Sequence, residues 1–394
     1  MKGVSMNEPE IRFKGFEGEW KDTTLNDKGI DIYAGGDVDK VKLKTKGKYP
    51  VISNGLINDG ILGYYENDFR ISSPSVTVVG RGSNTGYAQP RLFSYTPVVR
   101  LLSIKSFHDV YFLASVINKK SFNVELAGLP QLTTKELAEF KITFPNNLAE
   151  ENKIGSYLKY LDSISHKIKT KISFLKQTKA ACLQSMFPKE GETVPKVRFK
   201  GFEGEWEEKR LNECIEISSE KNTENAYGIE DVLSVSDEFG VQNQIELLGR
   251  SFAGKSLVNY SVLHKGQIVY TKSPLKSKPY GIVKENTYDT GIVSVLYGVY
   301  YAKEKCSISY IHYYFDPAWR LNTYVKPLVN KGAKNTMNIS DAAFLEGTIL
   351  IPSLAEQQKI ASFFQSLDKK ISLETLRLEK LKHIKAACLD KMFV

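Results

Sequence analysis

Two stretches of the chain carry apolar residues in steps of three and four. Within 149–187 they fall at Ile154, Tyr157, Leu161, Ile164, Ile168, Ile172 and Leu175, which is one stripe along a helix. Within 354–393 they fall at Ile360, Phe364, Leu367, Ile371, Leu378, Leu381, Ile384 and Cys388. Neither stretch has an internal proline, and Pro145 and Pro352 stand just ahead, where proline suits the start of a helix. About 39 residues rising ~1.5 Å each make a rod of roughly 60 Å. A stripe that long predicts a partner helix, the obvious one being the other copy. The alternative is that each rod packs on its own globular neighbour. Under the first reading Ile154, Leu161, Ile168, Ile172, Leu175, Ile360, Phe364, Leu367, Ile371, Leu378 and Leu381 serve helix pairing or partner docking.

The remainder reads differently. Region 21–145 holds YPVISNG, GILGYYE and SPSVTVVGRGSNTGYA; region 207–351 holds GQIVYTKSPLKSKPYGIV and GIVSVLYGVYYA. Short β-branched and aromatic runs broken by Gly, Pro and Asn predict sheets with irregular loops. A short helix is expected near 109–119 and another near 307–315.

The chain also repeats itself. RFKGFEGEW occurs at 12–20 and again at 198–206, an offset of 186 residues. LAEENKIGSYLKYLD through KAACLQSMF (148–187) answers LAEQQKIASFFQSLD through KAACLDKMF (354–393), an offset of 206. That period is too long for a solenoid, so a duplicated module is the simpler account. PKEGETVP (188–195) reads as a linker. The expected organisation is a first recognition domain at 1–146, a helix at 147–187, the linker, a second domain at 196–352 and a helix at 353–394. The fold class is α+β: two β-rich mixed domains joined by two long helices.

Composition narrows the field. With 54 Lys plus Arg against 45 Asp plus Glu the formal charge is +9, a weak pointer to an anionic partner such as nucleic acid. A 42% hydrophobic share fills real cores. No apolar run suits a membrane span and no secretory leader is evident, so the cytoplasm is the expected compartment. Four cysteines form no CxxC and five histidines no HxxxH spacing, which argues against a zinc site. Lys167, Lys169, Lys171, Lys176 and Lys179 crowd the first rod, as a solvated face or near phosphates.

Two loops mix basic, small and amide side chains. In the first, Arg81, Ser83, Asn84 and Thr85 sit among glycines. In the second, Lys272, Ser273, Lys276, Lys278 and Tyr280 follow one another closely. Glycine lets a backbone approach a phosphate, and Arg or Asn can grip base edges. Both are candidate DNA contacts; equally they are turns between strands. Gly249–Ser256 spells a full Walker A pattern, with Lys255 for phosphates and Ser256 for magnesium. A P-loop must open a helix, yet LVNYSVLHKGQIVY follows and reads as strand and turn. A P-loop ATPase with a β-rich accessory domain is therefore the alternative function, and a scaffold whose loops never touch DNA is a third. GRGSNTG misses a dinucleotide fingerprint at Thr85. No catalytic constellation emerges.

The opening PEIRFKGFEGEW, the LAEQQKIASFFQSLDKKI-type helix and the twofold module resemble the DNA specificity subunit of type I restriction–modification systems. The resemblance covers the whole chain, with its specific parts in the repeated opening and both helices. It implies that each recognition domain reads one half of a bipartite double-stranded DNA target. It implies that the helices run antiparallel as a coiled-coil spacer with a pseudo-twofold axis and dock methyltransferase subunits, usually two. A motor-nuclease subunit would join them, using ATP and Mg2+, while S-adenosylmethionine would sit on the methyltransferase. This chain would be non-catalytic, and adenine methylation and DNA cleavage would belong to its partners.

Overall fold

The computed structural model describes residues 7–119, 131–254, 256–275, 278–331 and 337–394. Two compact units emerge, Met1–Thr170 with Thr375–Val394, and Lys171–Glu374.

The first unit runs β1 (Lys21–Thr24), β2 (Asp31–Ala34), β3 (Tyr49–Ile52), β4 (Ile61–Tyr65), β5 (Ser75–Val79), β6 (Ala88–Arg91), β7 (Thr96–Pro97), β8 (Leu101–Lys105), α1 (Val110–Lys119), α2 (Thr134–Ala138) and β9 (Lys141–Phe144). Strand order is β2-β8-β5-β6 in an antiparallel sheet of four. A second sheet, β4-β3-β7, includes one parallel pairing, and β1 pairs with β9. All five residues of β5 are buried, as expected of a β-branched central strand covered on both faces. Val76, Val78, Leu102 and Ile104 from this sheet join Phe112, Leu113 and Val116 of α1 in one core.

The second unit runs β10 (Glu207–Arg210), α4 (Leu211–Cys214), β11 (Ile215–Ile217), β12 (Leu233–Ser236), β13 (Gly240–Asn243), α5 (Gln244–Leu248), β14 (Ser261–Leu263), β15 (Ile268–Tyr270), β16 (Val283–Glu285), β17 (Gly291–Val293), β18 (Gly298–Ala302), α6 (Ile308–Phe315), α7 (Ala318–Val325), β19 (Asn330–Lys331), β20 (Met337–Asn338), α8 (Asp341–Glu346) and β21 (Thr348–Ile351). Its four-stranded sheet has the order β11-β18-β15-β16, and β10 pairs with β21. This is the first unit's plan: an edge strand beside the last strand before a short helix, then a consecutive antiparallel pair that ends at the other edge, plus a closing two-stranded sheet. The two regions that share no visible sequence thus share the topology of their four-stranded sheets. Both expected short helices are present, as α1 and α6.

The two long helices are α3 (Leu148–Ser185) and α9 (Leu354–Lys391), each of 38 residues. The side chain of Asn147 accepts the Ala149 N–H at 2.8 Å, and that of Ser353 accepts the Glu356 N–H at 3.4 Å. Both residues satisfy N–H groups that a helix start leaves unpaired. Each helix begins in one unit and ends in the other, so the compact units cut through both helices where the sequence segments kept them whole. At Gly155 α3 passes against the residue that precedes α1: a Cβ there would lie 1.8 Å from Asp109 Oδ1. That oxygen accepts the Tyr111 and Phe112 N–H groups at 2.9 and 3.0 Å.

The Walker A segment is not a P-loop. Gly249 closes α5 in a left-handed conformation (φ 75°). No helix opens at Ser256; the chain turns and enters β14. Phosphates need the amides of a helix start, and here they would meet a strand. Lys255 itself lies outside the described residues. GRGSNTG is likewise the turn of the β5–β6 hairpin, with a strand after it rather than a helix.

Candidate nucleic-acid interface

The repeated opening is a clamp on the long helices. In the first unit Arg12 Nε and Nη2 donate to Glu150 Oε1 and Oε2 at 2.7 and 2.8 Å. Its Nη1 and Nη2 also donate to the Gly18 and Glu17 carbonyls. The second unit repeats this through Arg198: 2.7 and 2.8 Å to Glu356, and again to the carbonyls of Gly204 and Glu203. Each carboxylate side chain is only 2% exposed, so it needs such a charged partner. The hydrogen bond to the carboxylate, opposed by some burial, holds both guanidiniums above their ordinary range. Phe13 meets Tyr157 edge-on, as Phe199 meets Phe363.

Each clamp also grasps the end of the other helix. In the first unit the Ile11 N–H donates to the Lys391 carbonyl at 2.9 Å, and Trp20 packs edge-on against Phe393. In the second, the Val197 N–H donates to the Ser185 carbonyl at 2.9 Å and Trp206 packs against Phe187. The linker 188–195 covers this corner, with the Thr193 carbonyl accepting the Trp206 N–H. The start of one helix and the end of the other therefore lie in each unit's core: Ile154, Leu158, Met392 and Phe393 in the first, and Leu183, Phe187, Ile360, Phe364 and Leu367 in the second.

Within each unit the two helix segments run antiparallel. Lys171 pairs with Glu374 at 2.5 Å and Lys179 with Asp368 at 2.9 Å in the second unit. Lys385 pairs with Asp162 at 2.5 Å in the first. Leu161, Ile168 and Leu378 are buried, whereas Ile172, Leu175, Ile371 and Leu381 are half-buried. The stripe therefore has two uses, its outer parts packing on a domain and its middle on the helix pair. Of the crowded lysines, Lys167 and Lys169 are exposed, while Lys171, Lys176 and Lys179 have carboxylate partners.

The first candidate loop is a tight hairpin turn. Gly82 and Gly86 have φ of 107° and 88°, values that favour glycine. The Thr85 hydroxyl donates to the Gly82 carbonyl at 2.7 Å. Ser83 and Asn84 are exposed at the tip; Arg81 and Thr85 are half-buried.

The second loop is drawn into its unit. Lys272 Nζ lies 2.7 Å from Asp341, and Lys278 Nζ 2.6 Å from Asp237 and 3.0 Å from the Asp316 carbonyl. Ser273 and Tyr280 are half-buried, and the Tyr280 carbonyl accepts the Tyr270 hydroxyl. Lys276 lies outside the described residues. The structure thus gives Lys272 and Lys278 partners inside the fold, which their sequence neighbourhood concealed.

Behind that loop is a charge network absent from the sequence reading. Asp316 accepts from Lys284 at 2.7 Å and lies 3.2 Å from Lys179, which also reaches Asp368. Burial alone would raise the Asp316 carboxyl, but Lys284 and Lys179 outweigh it and hold it well below the usual carboxylate range. Burial, aided by Lys284, pushes His312 down to about 3. Among the described residues no group of three or more His, Cys, Asp or Glu is placed to hold a metal ion, and no helix is long and apolar enough to cross a membrane.

Comparison with known proteins agrees with this duplicated architecture. A 145-residue stretch is 32% identical to a Mycoplasma pneumoniae protein named as a type I specificity subunit, covering 36% of this chain and 39% of that protein. The fold resembles the crystal structure of a type I restriction-modification S subunit from M. genitalium, with a TM-score of 0.65, 15% identity, and 98% and 99% of the two chains covered. Residues 17–174 and 203–383 match the type I restriction modification DNA specificity domain. Those two segments together make up most of the chain, and each contains a sheet of the same strand order and one clamped helix start. The chain belongs to the type I restriction modification DNA specificity family and carries the family's domain twice.

Proposed function

We propose that this chain is the DNA-reading subunit of a type I restriction–modification complex, each unit recognising one half of a bipartite target. The observation that carries this is two units with one strand order and one clamp, but different loops. A fixed frame with variable loops is what two unlike half-sites require, because loops read while the frame positions. The paired helices act as the spacer that fixes half-site separation, as dimer geometry does elsewhere.

In this reading the chain is non-catalytic and resides in the cytoplasm. Methyltransferase subunits, two of them, dock on the helices and carry S-adenosylmethionine for adenine methylation. Motor-nuclease subunits cleave, using ATP and Mg2+. The exposed Ser83–Asn84 tip, Arg81, Thr85, Ser273, Lys276 and Tyr280 are base or phosphate contacts, while Lys272 and Lys278 brace the loop from within. The test is a domain exchange. Replacing residues 21–145 by the corresponding region of another family member should change one half of the methylated sequence and leave the other half and the spacing intact. Retention of the whole original target would overturn the proposal.

A further inference from the structure

The first unit carries a basic strip that neither the clamp nor the candidate loops use. Lys40, Lys42, Lys44, Lys46 and Lys48 alternate through nine residues, and all five are exposed. A charge run is often a loose, solvated segment, but the backbone under this one is fixed. Lys44 exchanges both backbone hydrogen bonds with Tyr64, at 3.0 and 2.9 Å. Gly47 lies so close to β4 that a Cβ would stand 2.8 Å from the Cβ of Tyr64. The Tyr65 hydroxyl donates to the Asp39 carbonyl at 3.2 Å, and Arg70 to the Asp37 carbonyl at 2.5 Å. The strip is thus held to β4 and to the Arg70 side chain while its ammonium groups project from it.

Few of these charges are committed inside the unit: Lys48 Nζ lies over the Tyr49 ring, 5.1 Å from its centroid. Lys42 approaches Asp39 at 3.7 Å with both side chains largely exposed. Among the described residues Lys40, Lys44, Lys46 and Lys48 make no ion pair. The second unit is the opposite case. The segment after its matching edge strand, 218–232, holds Glu220, Glu224, Glu230 and Asp231 against Lys221 alone, and Lys221 donates to Ser261. Its Lys272, Lys278 and Lys284 are each paired with aspartate.

We propose that residues 40–48 grip the phosphate backbone of double-stranded DNA, so that the salt-dependent part of the affinity is concentrated on the first unit. This rests on the DNA-reading function above and adds an energetic asymmetry to it. The first unit would hold the backbone, and the second would contribute mainly through base contacts.

The test is a salt titration of the fully assembled complex on its methylation target, with Lys40, Lys42, Lys44, Lys46 and Lys48 all changed to Gln. Each phosphate contact contributes about 0.9 to the slope of log affinity against log salt. The variant's slope should therefore become shallower by roughly 4.5 if all five make contact. The methylated sequence should not change, and the matching Lys→Arg set should restore the slope. An unchanged slope at retained affinity would overturn the proposal. So would weakened subunit assembly with an unchanged slope, which would assign the strip to an acidic protein surface. Failure of the wild-type complex to bind any DNA would instead sink the DNA-reading function itself, and the same titration shows that without any variant.

Discussion

Arg12 and Glu150 lie 138 positions apart, yet they meet through two parallel hydrogen bonds that seal the carboxylate almost completely from solvent. The pair ties the repeated opening to the first turn of α3, where a negative side chain also suits the helix dipole. Arg12→Ala would strand a buried carboxylate and should cost about 3 kcal/mol of the first unit's stability. Adding Glu150→Gln should recover part of that loss. A double-mutant cycle by thermal unfolding measures the coupling, and additive effects would show that the fork contributes nothing.

Phe187, 1% exposed, lies between Trp206, Tyr310 and Phe364. Phe187→Ala should cost about 3–5 kcal/mol through the cavity it leaves. Phe174, within α3 but 65% exposed, should change stability by under about 0.5 kcal/mol when cut to Ala. Chemical denaturation of both variants checks the contrast.

Asp316→Asn removes the charge that faces Lys284 and Lys179. Breaking a buried pair on one side costs about 3–5 kcal/mol, so the second unit should melt earlier while the first keeps its hydrogen-exchange protection. The sign with pH follows from the depressed carboxyl. Its stabilisation is complete above the unfolded value of about 3.9 and is lost as pH falls below it.

His312 adds an earlier acid sensitivity. Burial, with Lys284 and Lys179 adding to it against the pull of Asp316, holds it at about 3, whereas the unfolded side chain titrates near ~6.5. The unfolded chain takes up a proton over that window and the fold does not. Stability should therefore fall by up to about 1.4 kcal/mol per pH unit from ~6.5 downward. His312→Gln should flatten that part of the profile; an unaltered slope would assign the sensitivity to other groups.

Much of this architecture was legible in the sequence. The helices showed because a 3–4 spacing is local and survives over 38 residues, and the duplication showed because the clamp and the helices use the same residues twice. The shared strand order was not legible. β2 pairs with β8 some seventy positions away, and nothing local encodes that. The partners of the loop lysines were hidden for a similar reason. Lys278 looks free among Lys276, Ser277 and Tyr280, but its carboxylate is Asp237, 41 residues upstream. The strip at 40–48 is absent from the sequence reading, because only its attachment to β4 distinguishes it from an ordinary solvated run.

Ile11 meets Lys391 just as Val197 meets Ser185, and in the second of these junctions residues 186–196 join the two sides. Where the thread is cut is therefore arbitrary with respect to the packing. A short tether joining the residue-391 corner to the residue-11 corner, with new termini opened inside 188–195, should yield a circular permutant that buries the same cores. It would carry the two units in the opposite order along the polypeptide.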